Sequence, residues 1–232
     1  MLENLGLALL AGATGVIALT LVWRDRGAGA SRRASRANYL DRCEGLFDRP
    51  VKGQSPTGFA RLGGTYRGRN FDVQVLPDTL TFRKLPTLWL LVTIPAPMPV
   101  GATLDIMRRP IGTETFSNFG TLQVQLEPIA GLPPEAVMRT DDPGGLPSEA
   151  VLRDHLGLFT SDRVKELVIS PKGLRITFLA EEANRGRYLL YRDAEMGMEP
   201  LAAEVLRPLM DQLVQLAAAI KEDVVGKEIR HG

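Results

Sequence analysis

TLWLLVTI, residues 87–94, is the stretch of sequence that decides the fold of this chain. It is an apolar run of strand length, rich in β-branched and aromatic residues, and PAPMP at residues 95–99 ends it. A run of this kind, without regular polar alternation, predicts a central β-strand with both faces covered. The rest of the domain is therefore expected to supply strands on both edges of this run and further chain over both of its faces.

Two hairpins are predicted, one before and one after this strand. The paired segments are residues 59–66 with 70–76, and residues 164–169 with 174–179. Arg67-Gly68 joins the first pair, and SPKG (170–173) joins the second with proline and glycine suitably placed for a tight turn. In the first pair, the alternation of FDVQV (71–75) indicates a strand with one solvent-facing side.

Further strands are expected at residues 102–107, 123–127, 137–140 and 187–192. Residues 50–56, with two prolines and a glycine, are expected to form a loop. ETFSNFG, residues 114–120, is expected to be a loop fixed by two aromatic anchors, and DDPGGLP (141–147) a firm chain reversal.

Three helices are expected around these strands. The first runs from a cap at Ser35 to about Phe47, with Tyr39, Leu40, Cys43, Leu46 and Phe47 on one face that packs on the domain or lies against a membrane. The second covers about residues 148–159. The third starts at Pro200, carries an apolar stripe and is kinked or divided at Pro208. Short connections favour an α+β fold, with an antiparallel sheet and the short and long C-terminal helices packed on one face.

The amino-terminal residues predict a membrane anchor. NLGLALLAGATGVIALTLVW, residues 4–23, contains no charged side chain. As a helix it would be about 30 Å long, the thickness of the hydrocarbon core of a bilayer. The alternative, a cleaved signal peptide, fits poorly because MLEN lacks the positive charge of an n-region and the apolar core is too long.

A basic flank predicts how the anchor is oriented. The membrane-interface residues are Trp23, Arg24, Arg26, Arg32, Arg33 and Arg36. Because arginine and lysine stay preferentially on the cytoplasmic side, we expect a single-pass protein of the bacterial inner membrane with a periplasmic amino terminus and a cytoplasmic domain. The expected divisions are an anchor (1–23), a basic stalk with a short amphipathic helix (24–56), the α+β domain (57–222) and a polar tail (223–232).

Composition narrows the class of partner. The net charge of the whole chain is +1, and since the basic flank supplies more than this, the remaining residues are slightly acidic. A nucleic-acid partner is therefore not expected, whereas the basic flank suits anionic lipid head groups. The chain has one cysteine, Cys43, so it cannot form an intramolecular disulfide, which suits a reducing compartment.

Catalytic motifs are missing from the sequence. It has no glycine-rich phosphate loop, GxSxG elbow, HExxH or CxxC motif, so we predict no catalytic, cofactor-binding or metal-binding residue. The acidic pairs Asp141-Asp142 and Glu181-Glu182 are weak candidates, since neighbours on a strand point to opposite faces. His155 falls on the apolar stripe of its helix and is expected to be structural.

Four segments carry a resemblance to other proteins: GTYRGR (64–69), WLLVTIP (89–95), RTDDPGGLP (139–147) and VISPKGLRI (168–176). Together they resemble a class of uncharacterised bacterial single-pass membrane proteins with a cytoplasmic α+β domain. The resemblance implies an anchored domain, and it transfers no activity or site residue.

Three functional hypotheses remain open. The first is a non-enzymatic anchored protein whose cytoplasmic domain binds a protein partner during assembly or regulation of a membrane complex. The alternative is a tethered module that binds a lipid or small ligand between the sheet and the C-terminal helix. The second alternative is a hydrolase that uses carboxylates such as Asp141, Asp142 or Glu182.

Overall fold

The computed structural model describes residues 29–79, 85–112, 114–191, 194 and 196–231. Within these residues nine strands form one antiparallel sheet, in the order β1-β2-β3-β4-β9-β8-β5-β7-β6. The strands are β1 (Asp48–Gln54), β2 (Ala60–Tyr66), β3 (Arg69–Asp78), β4 (Thr87–Ile94), β5 (Leu104–Arg108), β6 (Val124–Leu126), β7 (Ala136–Thr140), β8 (Val164–Ser170) and β9 (Gly173–Glu182). Both predicted hairpins and the central position of residues 87–94 are confirmed.

Four α-helices and several short 3-10 helices accompany the sheet. The α-helices are α1 (29–37), α2 (Glu149–His155), α3 (Arg185–Tyr191) and α4 (Ala203–His231). The 3-10 helices are Asp41–Leu46, Phe119–Thr121, Pro143–Gly145 and Leu156–Thr160. The architecture is α+β, as the sequence predicts.

One face of the sheet is covered by α4 and α2. Leu88, Leu90, Val92 and Ile94 of β4 point to this face and are fully buried. Leu206, Met210, Leu213 and Ala217 of α4 are fully buried in the same cluster. Side chains therefore fill the layer between α4 and the sheet, in the way that close-packed protein interiors require.

The N-cap residue of α2, Ser148, connects this helix to α4. The Ser148 side chain accepts a hydrogen bond from the Val151 backbone, which is the N-cap arrangement. The Ser148 backbone N–H donates to Asp223 Oδ2 at 3.0 Å, and this bond ties the cap to α4. The helices α2 and α4 therefore pack together on this face of the sheet.

The opposite face of the sheet is covered by the loop between β5 and β6. Phe116 of this loop packs against Trp89, with ring centroids 5.0 Å apart, and Phe119 lies 5.3 Å below the guanidinium of Arg139. Trp89, Met107, Phe116 and Phe119 form a second, smaller apolar cluster. The two aromatic anchors predicted for residues 114–120 are confirmed.

The amino-terminal elements differ from the prediction. Residues 29–34, expected in a flexible stalk, belong to α1, since alanine and arginine favour helix. The helix expected from Ser35 to Phe47 is interrupted, because α1 ends at residue 37 and a 3-10 helix follows over Asp41–Leu46. Residues 48–54, where a loop was expected from residue 50, form the exposed edge strand β1.

Three predictions near the carboxyl end differ from the structure. Residues 187–192 were expected to be a strand, yet α3 (Arg185–Tyr191) is helical. Since both edges of β9 are already paired, with β4 and β8, the chain after Glu182 leaves the sheet. The helix α4 is continuous through Pro208 and extends to His231, through the residues expected to be a polar tail.

No helix of the described part is both long enough and apolar enough to cross a membrane. The predicted anchor, residues 4–23, lies outside the described residues, as do Trp23, Arg24 and Arg26. Arg32, Arg33 and Arg36 lie on α1, and the guanidinium of Arg36 sits 5.2 Å from the ring centre of Phe59. The short segment after α1 packs on the domain, because Tyr39, Leu40 and Cys43 are buried.

Candidate functional site: a cleft around Trp89

A cleft of about 290 Å³ lies on the face of the sheet opposite α4. It is found where β4 begins and β9 ends, so Thr87 and Glu182 border it. Its apolar side chains include Trp89, Val164 and Leu179. Since the layer under α4 is filled, the cavity is on the other side of the sheet from the location that the sequence suggested for a ligand.

The floor of the cleft contains an indole N–H without an acceptor. Trp89 is 9% exposed, and its Nε1 has no hydrogen-bond partner among the described residues. Its ring is held on one side by Phe116 and across the strands by Leu179. A buried donor left unpaired costs about 1–3 kcal/mol. Since the Nε1 atom is itself enclosed, an acceptor in the cleft reaches it only when the ring or a neighbouring side chain moves.

A buried ion pair stiffens one wall of the cleft. The register of β8 shifts between Val164 and Glu166, and such a bulge re-aims the extra residue, here Lys165. Lys165 Nζ lies 2.8 Å from Glu114 Oε1 and also donates to the Arg109 carbonyl oxygen at 2.8 Å. Both side chains of the pair are largely buried. The pair therefore ties the β5–β6 loop to β8.

Two arginines at the rim share one carboxylate. Arg108 Nε lies 2.6 Å from Glu135 Oε1, and an Arg109 guanidinium nitrogen lies 3.1 Å from the same oxygen. The hydrogen bond from Arg108 lowers the pKa of Glu135. Arg108 is mostly buried, whereas Arg109 is mostly exposed, with a positive φ of 49° that turns the chain out of β5. Arg109 is the rim cation best placed to meet a ligand.

Arg163 closes the wall next to β9. Its Nε donates to the Leu179 carbonyl oxygen at 2.9 Å, and a terminal nitrogen donates to the Ala180 carbonyl oxygen. Its guanidinium also lies 5.2 Å from the ring centre of Phe178. These bonds occur where the pairing of β4 with β9 is irregular, between Leu88 and Trp89. Arg163 thus satisfies carbonyl groups that the irregular ladder leaves open.

Beside the cleft, two acidic side chains are buried together. Asp105 is 3% exposed and Glu166 is fully buried. Glu166 Oε2 accepts hydrogen bonds from Thr177 Oγ1 at 2.8 Å and from Arg175 at 3.1 Å. Ser117 Oγ donates to Asp105 Oδ2 at 3.3 Å, so the pair also anchors the covering loop.

One oxygen of Asp105 and one of Glu166 lack a hydrogen-bond donor among the residues that the structure describes, and a proton shared between the two carboxyl groups would explain this. Asp105 Oδ1 and Glu166 Oε1 are buried and have no hydrogen-bond donor within the described part of the chain. Burial, and next the charge and hydrogen bond of Glu166, raise the pKa of Asp105 from 3.8 to about 8. The protonated form of Asp105 is therefore favoured and can donate to Glu166, while Arg175 balances the charge of Glu166.

The carboxylates singled out in the sequence do not meet. Asp141 Oδ1 accepts from the Thr103 N–H at 2.7 Å, and Asp142 Oδ1 accepts from the Gly144 N–H at 2.9 Å. Both lie beyond Thr140, at the end of the sheet opposite Glu182. Glu181 accepts from the Gly197 N–H at 2.9 Å. Of the acidic residues that were singled out, Glu182 borders the cleft.

The other candidate residues have structural surroundings. Burial raises the pKa of Cys43 to about 12, and its Sγ lies 3.5 Å from the Leu201 carbonyl oxygen. Partial burial lowers the pKa of His155 at the end of α2. In the ranges that the structure covers, no group of three or more His, Cys, Asp or Glu side chains could hold a metal ion.

Sequence reasoning missed Trp89 as a site residue and missed the Asp105–Glu166 pair. Trp89 is part of an apolar run and gives no sign that its N–H lacks a partner. The pair has a weak signal, since Asp105 and Glu166 each interrupt the apolar residues of a short strand. A buried acidic side chain within a strand predicts a partner that neutralises its charge, but the sequence does not show which strand carries that partner.

Comparison with known proteins gives little further information. No family model matches the chain, and no curated protein matches it. Among solved structures, one that matches is the crystal structure of the mycobacterial trehalose monomycolate transport factor A, TtfA. It is 9% identical, the match covers 85% of this chain and 94% of that chain, and the TM-score is 0.36. A similarity at this level establishes neither a shared fold nor a shared function.

Proposed function

We propose that this chain is a non-enzymatic, membrane-anchored binding protein whose α+β domain holds a small amphiphilic ligand in the Trp89 cleft. The observation that carries the proposal is the cleft of about 290 Å³ lined by Trp89, whose indole N–H is buried and has no acceptor among the described residues. Residues 4–23 are proposed as the anchor in a bacterial inner membrane, with the domain on the cytoplasmic side.

The walls of the cleft combine apolar side chains with both acidic and basic ones. Trp89, Val164 and Leu179 offer an apolar floor, and Arg109 offers an exposed cation at the rim. The volume is at the lower end of the range of about 300–1,000 Å³ for small-molecule sites. A molecule with a short apolar segment and an anionic or carbonyl-bearing end matches this arrangement, because each part finds a complementary wall.

Binding fits the geometry better than the carboxylate chemistry considered from sequence. Asp141 and Asp142 lie at the far end of the sheet from Glu182, and their oxygens accept backbone hydrogen bonds. The Asp105–Glu166 pair is buried beside the cleft and held by Ser117, Thr177 and Arg175. These carboxyl groups are arranged to fix the loop rather than to reach a substrate.

Native mass spectrometry of the intact chain, purified in mild detergent, tests the proposal. We expect a bound small molecule in the unmodified protein and a lower occupancy in Trp89→Phe, which keeps an aromatic ring but removes the N–H. Trp23→Phe is the matched control, because it makes the same change at the other tryptophan. Equal occupancy in both variants, or a chain without any bound molecule, would contradict the proposal.

A protein partner is the second candidate function, and a groove at the other end of the domain favours it. Pro97, Met98, Pro99, Lys221, Val224 and Val225 form an open groove of about 540 Å³. Val225 is 54% exposed there. The occupant we propose is a partner segment with apolar side chains and an acidic residue, which would meet the valines and Lys221 respectively.

Purification from solubilised membranes tests this second candidate. A partner that accompanies the unmodified chain in fixed stoichiometry, and is lost with Val225→Asp, would support it. Recovery of the chain alone at several expression levels, or a partner retained equally by Val225→Asp, would count against it.

A further inference from the structure

The cleft and the helix α3 lie at the same end of the sheet. Glu182, the last residue of β9, borders the cleft, and the next residue, Ala183, donates its N–H to the Pro86 carbonyl oxygen just before β4. The helix α3 begins at Arg185, two residues further on. The mouth of the cleft and α3 are therefore neighbours in the fold.

The residues that follow α1, from Tyr39 onward, pack at the end of the sheet that carries the cleft. The Leu201 N–H donates to the Tyr39 carbonyl oxygen at 2.7 Å, and the Gly197 N–H donates to Glu181 at 2.9 Å. The rings of Tyr39 and Phe59 are in edge contact, 6.4 Å between centroids. Gly197 lies so close to Phe59 that a Cβ would come within 2.5 Å of its ring. The segment after α3 thus packs directly on the segment after α1.

This arrangement places the connection to the proposed anchor next to α3. Residues 24–38 separate Trp23 from Tyr39, and α1 accounts for nine of them, with a length of about 13 Å. Arg33 on α1 and Arg185 on α3 are both exposed. With residues 4–23 as the proposed anchor, the chain would join the domain at the end of the sheet that carries the cleft, and exposed cations there suit anionic lipid head groups.

The helix α3 exposes two adjacent leucines. Leu189 is 59% exposed and Leu190 is 77% exposed, and they are the most exposed leucines of the described residues. Ile111, which lines the cleft, is also 48% exposed. Apolar side chains in this position are stabilised when they enter the interface between head groups and acyl chains.

From these observations we propose that α3 contacts the membrane through Leu189 and Leu190, and that the cleft beside it accepts the acyl segment of a membrane phospholipid. This deepens the proposed function and rests on it. The acyl segment lies against Trp89 and Leu179, and the anionic head group meets Arg109 at the rim. An ester carbonyl accepts the Trp89 N–H once the indole ring turns toward the cleft. The tether holds the mouth of the cleft at the bilayer, so the lipid need not cross water.

Site-specific fluorescence tests the contact of α3 with lipid. The full chain is reconstituted in vesicles of phosphatidylethanolamine and phosphatidylglycerol (3:1), with a nitrobenzoxadiazole label at Leu190→Cys. Val51→Cys, at an exposed residue of the edge strand β1, is the matched control. Cys43 is fully buried and remains in place.

We expect the label at residue 190 to emit at shorter wavelength and to be quenched by spin-labelled lipid at least twofold more than the label at residue 51. Equal quenching at both positions overturns the contact. A blue shift that grows with protein concentration and is insensitive to spin-labelled lipid also overturns it, since a second copy of the chain would then cover α3.

Bromine quenching of Trp89 tests where the ligand comes from. In a Trp23→Phe background Trp89 is the single tryptophan, and phospholipid brominated on the acyl chain quenches it on contact. We expect quenching by brominated vesicles, and a loss of at least half of it in Leu189→Glu/Leu190→Glu. A brominated lysophospholipid added below its micellar concentration should still quench that double variant, because it reaches the cleft from water.

The two proposals fail in different ways. If brominated lysophospholipid quenches Trp89 but vesicle lipid does not, the cleft binds amphiphiles and the membrane route is wrong. If vesicle lipid quenches Trp89 equally in the double variant, α3 has no part in delivery. If neither probe quenches Trp89, both the lipid ligand and the proposed function are overturned.

Discussion

Asp105 and Glu166 form a buried pair of carboxyl groups, and each has one oxygen without a hydrogen-bond donor among the described residues. The pair lies under the loop that carries Phe116, the residue against which Trp89 packs. Fixing this loop fixes one wall of the cleft.

Asp105 makes the stability of the domain depend on pH. Its pKa is raised to about 8 in the folded protein from 3.8, so between these pH values the folded state binds a proton that the unfolded state does not. The free energy of unfolding therefore falls as pH rises through this window, by at most about 1.4 kcal/mol per pH unit from this group.

Asp105→Asn should remove this pH dependence. The amide cannot ionise, and its NH₂ can donate to Glu166 as the protonated acid does. Urea unfolding of the chain in detergent measures this. The free energy of unfolding of the variant, relative to that of the unmodified protein, should rise steadily from pH 5 to pH 8. Asp154→Asn, on the exposed side of α2, should leave the slope unchanged. An unaltered slope in Asp105→Asn would show that the pair does not hold the proton.

Phe116→Ala should loosen the wall of the cleft. Phe116 is 6% exposed, and truncating a buried phenylalanine typically costs about 3–5 kcal/mol. Because Phe116 covers the Trp89 ring, Trp89 emission in a Trp23→Phe background should also move to longer wavelength. Val51→Ala, on the exposed edge strand, should change neither quantity by a measurable amount. Unchanged emission in Phe116→Ala would mean that the loop does not shield Trp89.

Gly197→Ala should be more destabilising than Gly68→Ala. Both glycines have a positive φ, 71° and 73°, so alanine strains the backbone equally, by about 1 kcal/mol. At Gly197 the new methyl group would also come within 2.5 Å of the Phe59 ring, whereas at Gly68 nothing lies within 4 Å. The difference should exceed about 1 kcal/mol, the cost of overpacking. Equal unfolding midpoints would contradict the close contact of residue 197 with Phe59.

The sheet was largely predictable from sequence, and the reason is local. The turns at Arg67-Gly68 and residues 170–173 contain glycine or proline, which favour tight turns. The apolar run of 87–94 has the length and composition of a buried strand. The helix α3 was not predictable in this way, because RYLLY suits a strand or a helix. Its state was decided by β4 and β8, which occupy both edges of β9.

The candidate site was the least predictable part. Trp89 lines the cleft because of its place in the alternation of β4 and because of the register in which β4 pairs with β9. Lys165 reaches the cleft wall because of a bulge in β8, and the residue pattern does not predict this bulge. Both depend on pairing between strands that are far apart in sequence, and a single sequence does not specify such pairing.

The central claim, that the Trp89 N–H binds a ligand, is tested most directly by the ¹⁵N–¹H resonance of its indole. The full chain with Trp23→Phe gives one indole signal, and lauroyl lysophosphatidylglycerol serves as the probe. We predict a saturable downfield shift of this proton, as expected when the N–H gains an acceptor, and a much weaker shift in Arg109→Gln. A signal that does not move at saturating probe, while signals elsewhere in the domain do, would contradict the account.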